Sequence, residues 1–369
     1  MKSRVVGHID LDYFYAQVEE TQNPSIKGRP VIVCVFSGRT DESGVVSTAN
    51  YQARELGVTS GMPIVLAKKR LEGSNAAVIR MVHEKYEAVS DRVMKIVKDH
   101  VDVLEQTGID EAFFDLTSST AGEYEAARAV AERLKSDILE SERLTCSVGI
   151  GQSKAVAKLA SDTAKPGGLL VVSPASTKRF LDGMPVTKLY GVGPKTASAL
   201  KQVGVTTIGQ LSVVPMEELE RLLGKRSSAY LRSASTGTDD NPVTAGQEPT
   251  QFSRIITLKR DTRDANEAMA QLAEGIEDVR RRLASSSKSF RTLSAIGILT
   301  DLSMHTRSKT FDAPINHTAA IRDQTLLLFK ELSGSVHRDF RRVGVRVSEL
   351  SNAADQSSLS EFIGPAANP

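Results

Sequence analysis

Runs of β-branched and apolar residues alternate, through the N-terminal half of the chain, with stretches whose apolar residues recur at helical spacing. Arg4 to Asp10 is the first such run, and helical spacing replaces it from about Tyr13, so a strand feeding a helix is expected there. Asn23-Pro24 ends that helix, and the unbroken apolar run Pro30 to Phe36 reads as a buried strand. After the polar turn SGRTDESG, the pattern VVSTANYQARELGV predicts a helix from near Thr48 to near Gly57, with Tyr51 and Arg54 within one turn of each other. Helices over 84–99 and 123–139 then interleave with strands over 102–107, 112–116 and 145–151, the order of a mixed sheet with helices on one face. A further helix through SKAVAKLASDTAKPGG stops at Pro166-Gly167-Gly168, which fixes where Lys165 projects.

The pattern changes in the second half. Residues 185–237 read as short helices and turns, and the polar stretch SASTGTDDNPVTAGQEP (233–249) reads as a linker. Beyond it the order is strand (251–260), helix (264–285), two strands (291–302 and 306–313), helix (318–332) and strand (340–350). That is a split βαβ unit with two helices on one face of four strands. Alternation along the last strand sets Arg342 and Arg346 on one face and Val343, Val345 and Val347 on the other, leaving an open basic face. The Ala/Ser/Asn/Pro-rich tail after Leu350 has the composition of a disordered segment.

Bulk composition narrows this little. With 369 residues, 40% hydrophobic and 25% charged, the chain suits two or more globular domains. Its start, MKSRVVGHIDLDYF, has no apolar leader and no later run reaches membrane-spanning length, so a cytosolic protein is expected. Cys34 and Cys146 lie in β-type runs without a CxxC pair and read as small buried hydrophobes rather than zinc ligands or a disulfide. The net charge of +2 hides an asymmetry: residues 250–347 hold 17 Lys and Arg against 11 Asp and Glu, a surplus of 6, which leaves −4 for the rest. A C-terminal module that grips a polyanion and an N-terminal half that carries acidic chemistry would divide charge in this way.

The acids supply that chemistry. Asp10 ends the first strand, and QTGIDEAFFDL (106–116) brings another strand to a Gly108 turn with Asp110 and Glu111 at the opening of the next. A single acid at a strand end is ordinarily just solvated, but three that converge repel unless a cation lies between them. Hard oxygen ligands select Mg²⁺ or Mn²⁺. His8 shares a strand face with Asp10 and reads as a packed neighbour of the site rather than a ligand.

The stretches Asp10-Leu11-Asp12-Tyr13-Phe14-Tyr15 and Gly108-Ile109-Asp110-Glu111-Ala112 resemble the two palm motifs of the Y-family translesion DNA polymerases, in the DinB or polymerase IV branch. The resemblance runs along essentially the whole chain, with its parts in the family's order. It implies an α+β, right-hand-like polymerase. A ferredoxin-like palm (1–20 and 77–168) and small fingers (21–76) are followed by a helical thumb (169–232) with a helix-hairpin-helix near 188–205. A linker (233–249), a split βαβ little finger (250–350) and a flexible tail (351–369) complete the chain.

It also implies roles. Asp10, the Leu11 carbonyl, Asp110 and Glu111 would hold two Mg²⁺, with Mn²⁺ as a substitute, while a primer 3′-hydroxyl attacks a deoxynucleoside triphosphate. Phe14 and Tyr15 would meet the nucleotide, with Tyr15 under the sugar excluding a 2′-hydroxyl. Tyr51 and Arg54 of T-A-N-Y-x-A-R would contact the triphosphate, and Lys165 of A-K-P its β- and γ-phosphates. Val45, Val46, Ser47 and Thr48 fall near the nascent base pair. KLYGVGPKTASALKQVGV resembles a helix-hairpin-helix, in which Gly191 and Gly193 admit a DNA phosphate to a helix N-terminus beside Lys195. Arg254, Arg342 and Arg346 would add contacts to the primer–template. In the tail, Gln356, Leu359, Phe362 and Ile363 resemble a sliding-clamp-binding peptide, with Ile363 where a second aromatic is usual.

The implied protein is a monomeric, cytoplasmic and nucleoid-associated enzyme of low fidelity that bypasses damaged template bases. No segment remains for a proofreading exonuclease. A nucleotidyl cyclase also uses paired carboxylates and two metals, but has no use for the hairpin or the basic sheet. A non-catalytic DNA-binding protein has no use for the three acids beside Tyr51, Arg54 and Lys165.

Overall fold

The computed structural model describes residues 3–246, 248–315 and 319–352, and contacts divide them into two compact units. The first comprises 3–34, 46–60 and 69–246, and the second 35–45, 61–68 and the described residues from 248 on. The N-terminal strands are β1 (Val6–Leu11), β2 (Val31–Phe36), β3 (Gly44–Ala49), β4 (Ala77–Arg80), β5 (Val103–Gln106), β6 (Glu111–Asp115), β7 (Cys146–Gly151) and β8 (Leu169–Val171). Those of the second unit are β9 (Gln251–Thr262), β10 (Lys288–Leu299), β11 (Met304–Ile315) and β12 (Phe340–Asn352).

The sheet of the first unit runs β5-β6-β1-β7-β8, with β1 in the centre and antiparallel to both neighbours. All six residues of β1 are buried, which is why a strand so apolar can hold His8 and Asp10 only where partners await them. The helices His83–His100 and Tyr124–Glu142 cover one face, burying Tyr86, Val93, Ala131 and Leu134 against Ile9, Phe114 and Val148. The helix Lys154–Ala164 covers the other, so the expectation of helices on one face is corrected. Gly149 makes that second layer possible, since a Cβ there would stand 2.2 Å from the Ala157 carbonyl and the Ser161 amide of that helix.

Two local expectations change. Residues 44–49 extend as β3 although the helix is expected from near Thr48, because their β-branched run fits the sheet β3-β2-β4. The helix is short, Tyr51–Glu55, and opens at Asn50, whose side chain accepts from the Ala53 amide at 3.0 Å. The stretch expected to be a linker begins as helix, because Lys225–Thr236 runs into it. It is then strapped to the sheet, with Val243 buried beside Val6 and Ala157. Arg4 donates to the carbonyls of Asp239 (3.0 Å) and Asn241, and the Thr244 amide donates to Glu105 at 2.8 Å.

The second unit forms an antiparallel sheet in the order β11-β10-β12-β9, and the helices Ala265–Ser285 and Ala319–Ser335 lie on one face. Val343, Val345 and Val347 pack beneath them. No helix among the described residues is long and apolar enough to cross a membrane.

Candidate active site

The strand register brings the two acidic stretches together. Asp10 lies opposite Glu111 across the β1–β6 pair, and the Leu11 amide donates to the Asp110 carbonyl at 2.8 Å. Each acid finds a lysine or a neighbouring charge. Lys165 Nζ donates to Asp10 Oδ2 at 2.7 Å and to Asp162 Oδ1 at 3.1 Å, while Lys158 Nζ donates to Glu111 Oε2 at 2.5 Å. Burial raises the Asp10 carboxyl to about 6 despite the pull of Lys165, and burial with the charge of Glu111 raises Asp110. Glu111 goes the other way: its contacts with His8 and Lys158 hold it down to about 2. His8 is fully buried, with Nδ1 2.7 Å from Ser161 Oγ and Nε2 3.6 Å from Glu111, and burial lowers its pKa.

The acids do not all open on one space. A cavity of about 290 Å³ is lined by Asp10, Leu11, Asp110, Lys165, Tyr15, Tyr51 and Arg54, with Tyr13, Ser47 and Thr48. Glu111 instead lines a neighbouring cavity of about 530 Å³ with Lys154, Lys158, Tyr190, Tyr230 and Asn241. Among the described residues no three acidic, His or Cys side chains are grouped closely enough to hold a metal as they stand. The donor chemistry nevertheless fits hard divalent cations: carboxylate oxygens and a backbone carbonyl are the ligands Mg²⁺ takes. The ammonium groups at 2.5 and 2.7 Å occupy positions where positive charge is needed.

The residues expected to meet a nucleotide divide between wall and core. Tyr15 is half-buried, with its ring centroid 4.6 Å from that of Tyr86, whereas the Phe14 side chain is 2% exposed and belongs to the core. Tyr51 meets Tyr13 edge-on at 5.2 Å, and the Arg54 guanidinium lies 5.2 Å from the Tyr51 ring centre while its Nε donates to the Ala49 carbonyl at 2.8 Å. Val46 is buried and Val45 exposed.

Sequence reasoning passed over Tyr13, Asp12 and Lys158. Tyr13 has a left-handed φ of 35°, a strained value for a tyrosine, where the chain leaves β1 for the helix Phe14–Gln22. A signal for Lys158 is present in the spacing Lys158, Ser161, Lys165, which puts all three near one face of a helix.

The residues assigned to DNA sit at the surface of their units. Gly191 has a φ of +89°, and Gly193 opens the helix Pro194–Gln202 beside an exposed Lys195. On the four-stranded sheet, Arg342 and Arg346 stand on the face away from the helices, where Arg346 lies opposite Ser294 and Ser253. That face is more hydroxyl-rich than basic: Thr292 pairs with Thr310 and Ser294 with Ser308, each at 2.8 Å. Arg254 lies opposite Val345 and so belongs to the helix-covered face, its stem near Gly275. The clamp-like residues Gln356, Leu359, Phe362 and Ile363 lie outside the described residues.

Comparison with known proteins identifies the family. Residues 9–162 match the model of the impB/mucB/samB family, 249–360 that family's C-terminal domain, and 187–239 the thumb domain of DNA polymerase-iota. The chain is 36% identical to a DNA polymerase IV of Nitrosopumilus maritimus, over 98% of this chain and 100% of the relative. It is 37% identical to one of Methanosarcina acetivorans at the same coverage. Among solved structures, a Y-family chimera of Dbh and Dpo4 is similar with a TM-score of 0.89 and 33% identity, covering 94% of this chain and 99% of that one. An insertion ternary complex of Dbh DNA polymerase is similar with a TM-score of 0.69 and 33% identity at the same coverage.

Proposed function

The chain belongs to the impB/mucB/samB family of Y-family DNA polymerases and is a DNA-directed DNA polymerase; from that premise we propose that the cavity at Asp10 and Asp110 is where a primer is extended. One observation carries the assignment: Asp10, Asp110, Tyr15, Tyr51, Arg54 and Lys165, which come from four separate stretches of sequence, line a single cavity.

Asp10, Asp110, Glu111 and the Leu11 carbonyl would hold two Mg²⁺, or Mn²⁺ in their place. Bound there, the ions supply a lowered pKa for the primer 3′-hydroxyl and positive charge for the leaving pyrophosphate. The chain's own residues do the rest. Lys158 and Lys165 pair with Glu111 and Asp10 where cations would be held, and Lys165, once free of Asp10, would reach the β- and γ-phosphates. The fork of Arg54 takes phosphate oxygens, and Tyr51 packs beside it. Tyr15, braced by Tyr86, lies under the sugar and excludes a 2′-hydroxyl. Phe14 contributes through its backbone, because its ring is in the core.

On this reading the enzyme takes primer–template DNA and deoxynucleoside triphosphates. DNA phosphates meet the Gly191–Gly193 turn and Lys195, and Arg342 and Arg346 add contacts, whereas Arg254, on the helix-covered face, is left out. Synthesis is of low fidelity, without proofreading, and crosses damaged template bases. The chain works as a monomer in the cytoplasm, at the nucleoid, and residues 356–363 bind a sliding clamp. The palm, fingers, thumb and little-finger boundaries given above belong to this proposal, with the linker starting after the helix that ends at Thr236. Primer extension with and without template, on intact and damaged strands, tests it. Template-dependent extension past lesions is expected, and template-independent cyclisation or no turnover would contradict it.

A further inference from the structure

One carboxylate of the palm motif has no part in the chemistry above. Asp12 is 1% exposed, yet no ion pair is recorded for it among the described residues. Its Oδ1 accepts from Ser147 Oγ at 2.8 Å, and its Oδ2 accepts from Thr145 Oγ1 at 2.8 Å and from the Gly167 amide at 2.9 Å. The last contact matters most, because Gly167 lies two residues beyond Lys165. The same residue is gripped from its other side: Lys135, on the helix Tyr124–Glu142, donates to the Gly167 carbonyl at 2.9 Å and to the Cys146 carbonyl. Gly167 itself has a φ of +63°, and Gly168 is packed so that a Cβ would lie 2.1 Å from the Ala164 carbonyl. The turn after Lys165 is therefore held through its N–H by the end of β1 and through its C=O by a helix on the opposite face of the sheet.

We propose that Asp12 is a positioning residue: by accepting from Gly167, opposite Lys135, it fixes the base of Lys165 so that this side chain reaches either Asp10 or the triphosphate without searching. The inference rests on the reading of Lys165 as a triphosphate ligand. A long lysine anchored at its Cα loses less freedom on binding than one on a loose turn, so the effect appears as nucleotide affinity. Asp12 thereby couples the strand that carries Asp10 to the lysine that must leave Asp10.

The test measures nucleotide binding to the enzyme on a dideoxy-terminated primer–template, where no turnover occurs, together with amide exchange of Lys165, Gly167 and Gly168. Asp12→Ala and Lys135→Met are each expected to weaken nucleotide binding about tenfold, the scale of a lost buried hydrogen bond, and to speed exchange at Gly167 by at least about as much. Asp12→Asn, whose amide oxygen can still accept from Gly167, should restore most of both, and Mn²⁺ binding to the free protein should stay within about twofold for Asp12→Asn. In a Lys165→Met background, Asp12→Ala should cost less than about twofold more. Unchanged Gly167 exchange in both Asp12→Ala and Lys135→Met, or Asp12→Asn failing like Asp12→Ala, overturns the proposal. If Lys165→Met alone leaves nucleotide binding intact while Gly167 exchange responds as expected, the role given to Lys165 fails and the hold on the turn survives.

Discussion

His8, Asp10 and Asp12 lie buried on or just after the central strand of the five-stranded sheet, each with a named partner, whereas Arg342 and Arg346 stand on an open face of the four-stranded sheet among serines and threonines. The first arrangement concentrates charge where water is scarce, so each group is raised, lowered or paired individually. The second spreads charge over a surface where salt and water screen it. Removing one group should therefore be severe in the first sheet and mild in the second, and that contrast can be broken.

It breaks most visibly at the acids. Asp110→Ala or Glu111→Ala should lower primer extension at least about a thousandfold, since metal-borne stabilisation is worth several kcal/mol and each 1.4 kcal/mol is tenfold. Near-normal rates in either variant would return the acids to the ordinary solvated class. A smaller but more selective effect is expected at Tyr15. Tyr15→Ala should reduce discrimination against ribonucleotides about a hundredfold, the scale on which pocket shape sorts substrates. Tyr86→Phe keeps the bracing ring but drops its bond to Glu19, and should leave that discrimination unchanged.

The pH dependence comes next in size. Burial lifts Asp10 to about 6 from an ordinary 3.8. Between those values the folded, metal-free chain holds a proton that the unfolded chain has released, so its stability falls as pH rises from about 4 to 6. Glu111, held at about 2, acts with the opposite sign and lower down: its stabilisation is complete above its ordinary 4.5 and is lost as pH falls toward 2. Thermal unfolding against pH should show the Asp10 slope in the wild type and lose it in Asp10→Asn. Metal affinity should weaken below about pH 6 for the same reason. The smallest effects belong to the second sheet. Arg342→Ala and Arg346→Ala should each weaken DNA binding only a few-fold and lower the slope of log affinity against log salt by about 0.9 per lost duplex phosphate contact. A hundredfold loss from either would place that sheet in the same class as the first.

Much of this arrangement was legible before any coordinates. An acid at the end of a β-branched run and a second acidic pair a hundred residues on carried the resemblance and the expectation that the acids converge; register sets Asp10 opposite Glu111, but Glu111 opens on the neighbouring cavity. The alternation of Arg342, Val343, Val345 and Arg346 followed from strand period alone. What stayed hidden depends on partners far away in the chain. Glu111 turns to the neighbouring cavity because of Lys158, and Asp12 is occupied by Thr145, Ser147 and Gly167; none of these contacts leaves a local period. Residues 237–244 have a linker's composition, and tertiary contacts, among them those of Val243, Arg4, Glu105 and Gln152, hold them down. Arg254 shared a charge sign with Arg342 but not a face, which register settles and composition does not.

The central claim is that the ends of β1 and β6 together form a site for paired divalent cations. Counting bound Mn²⁺ by electron paramagnetic resonance, with a dideoxy-terminated primer–template and the matching nucleotide present, tests it directly. Two ions per chain are expected for the wild type, with both lost from the protein site in Asp10→Ala/Asp110→Ala. Two tightly held ions in that double variant would contradict the account.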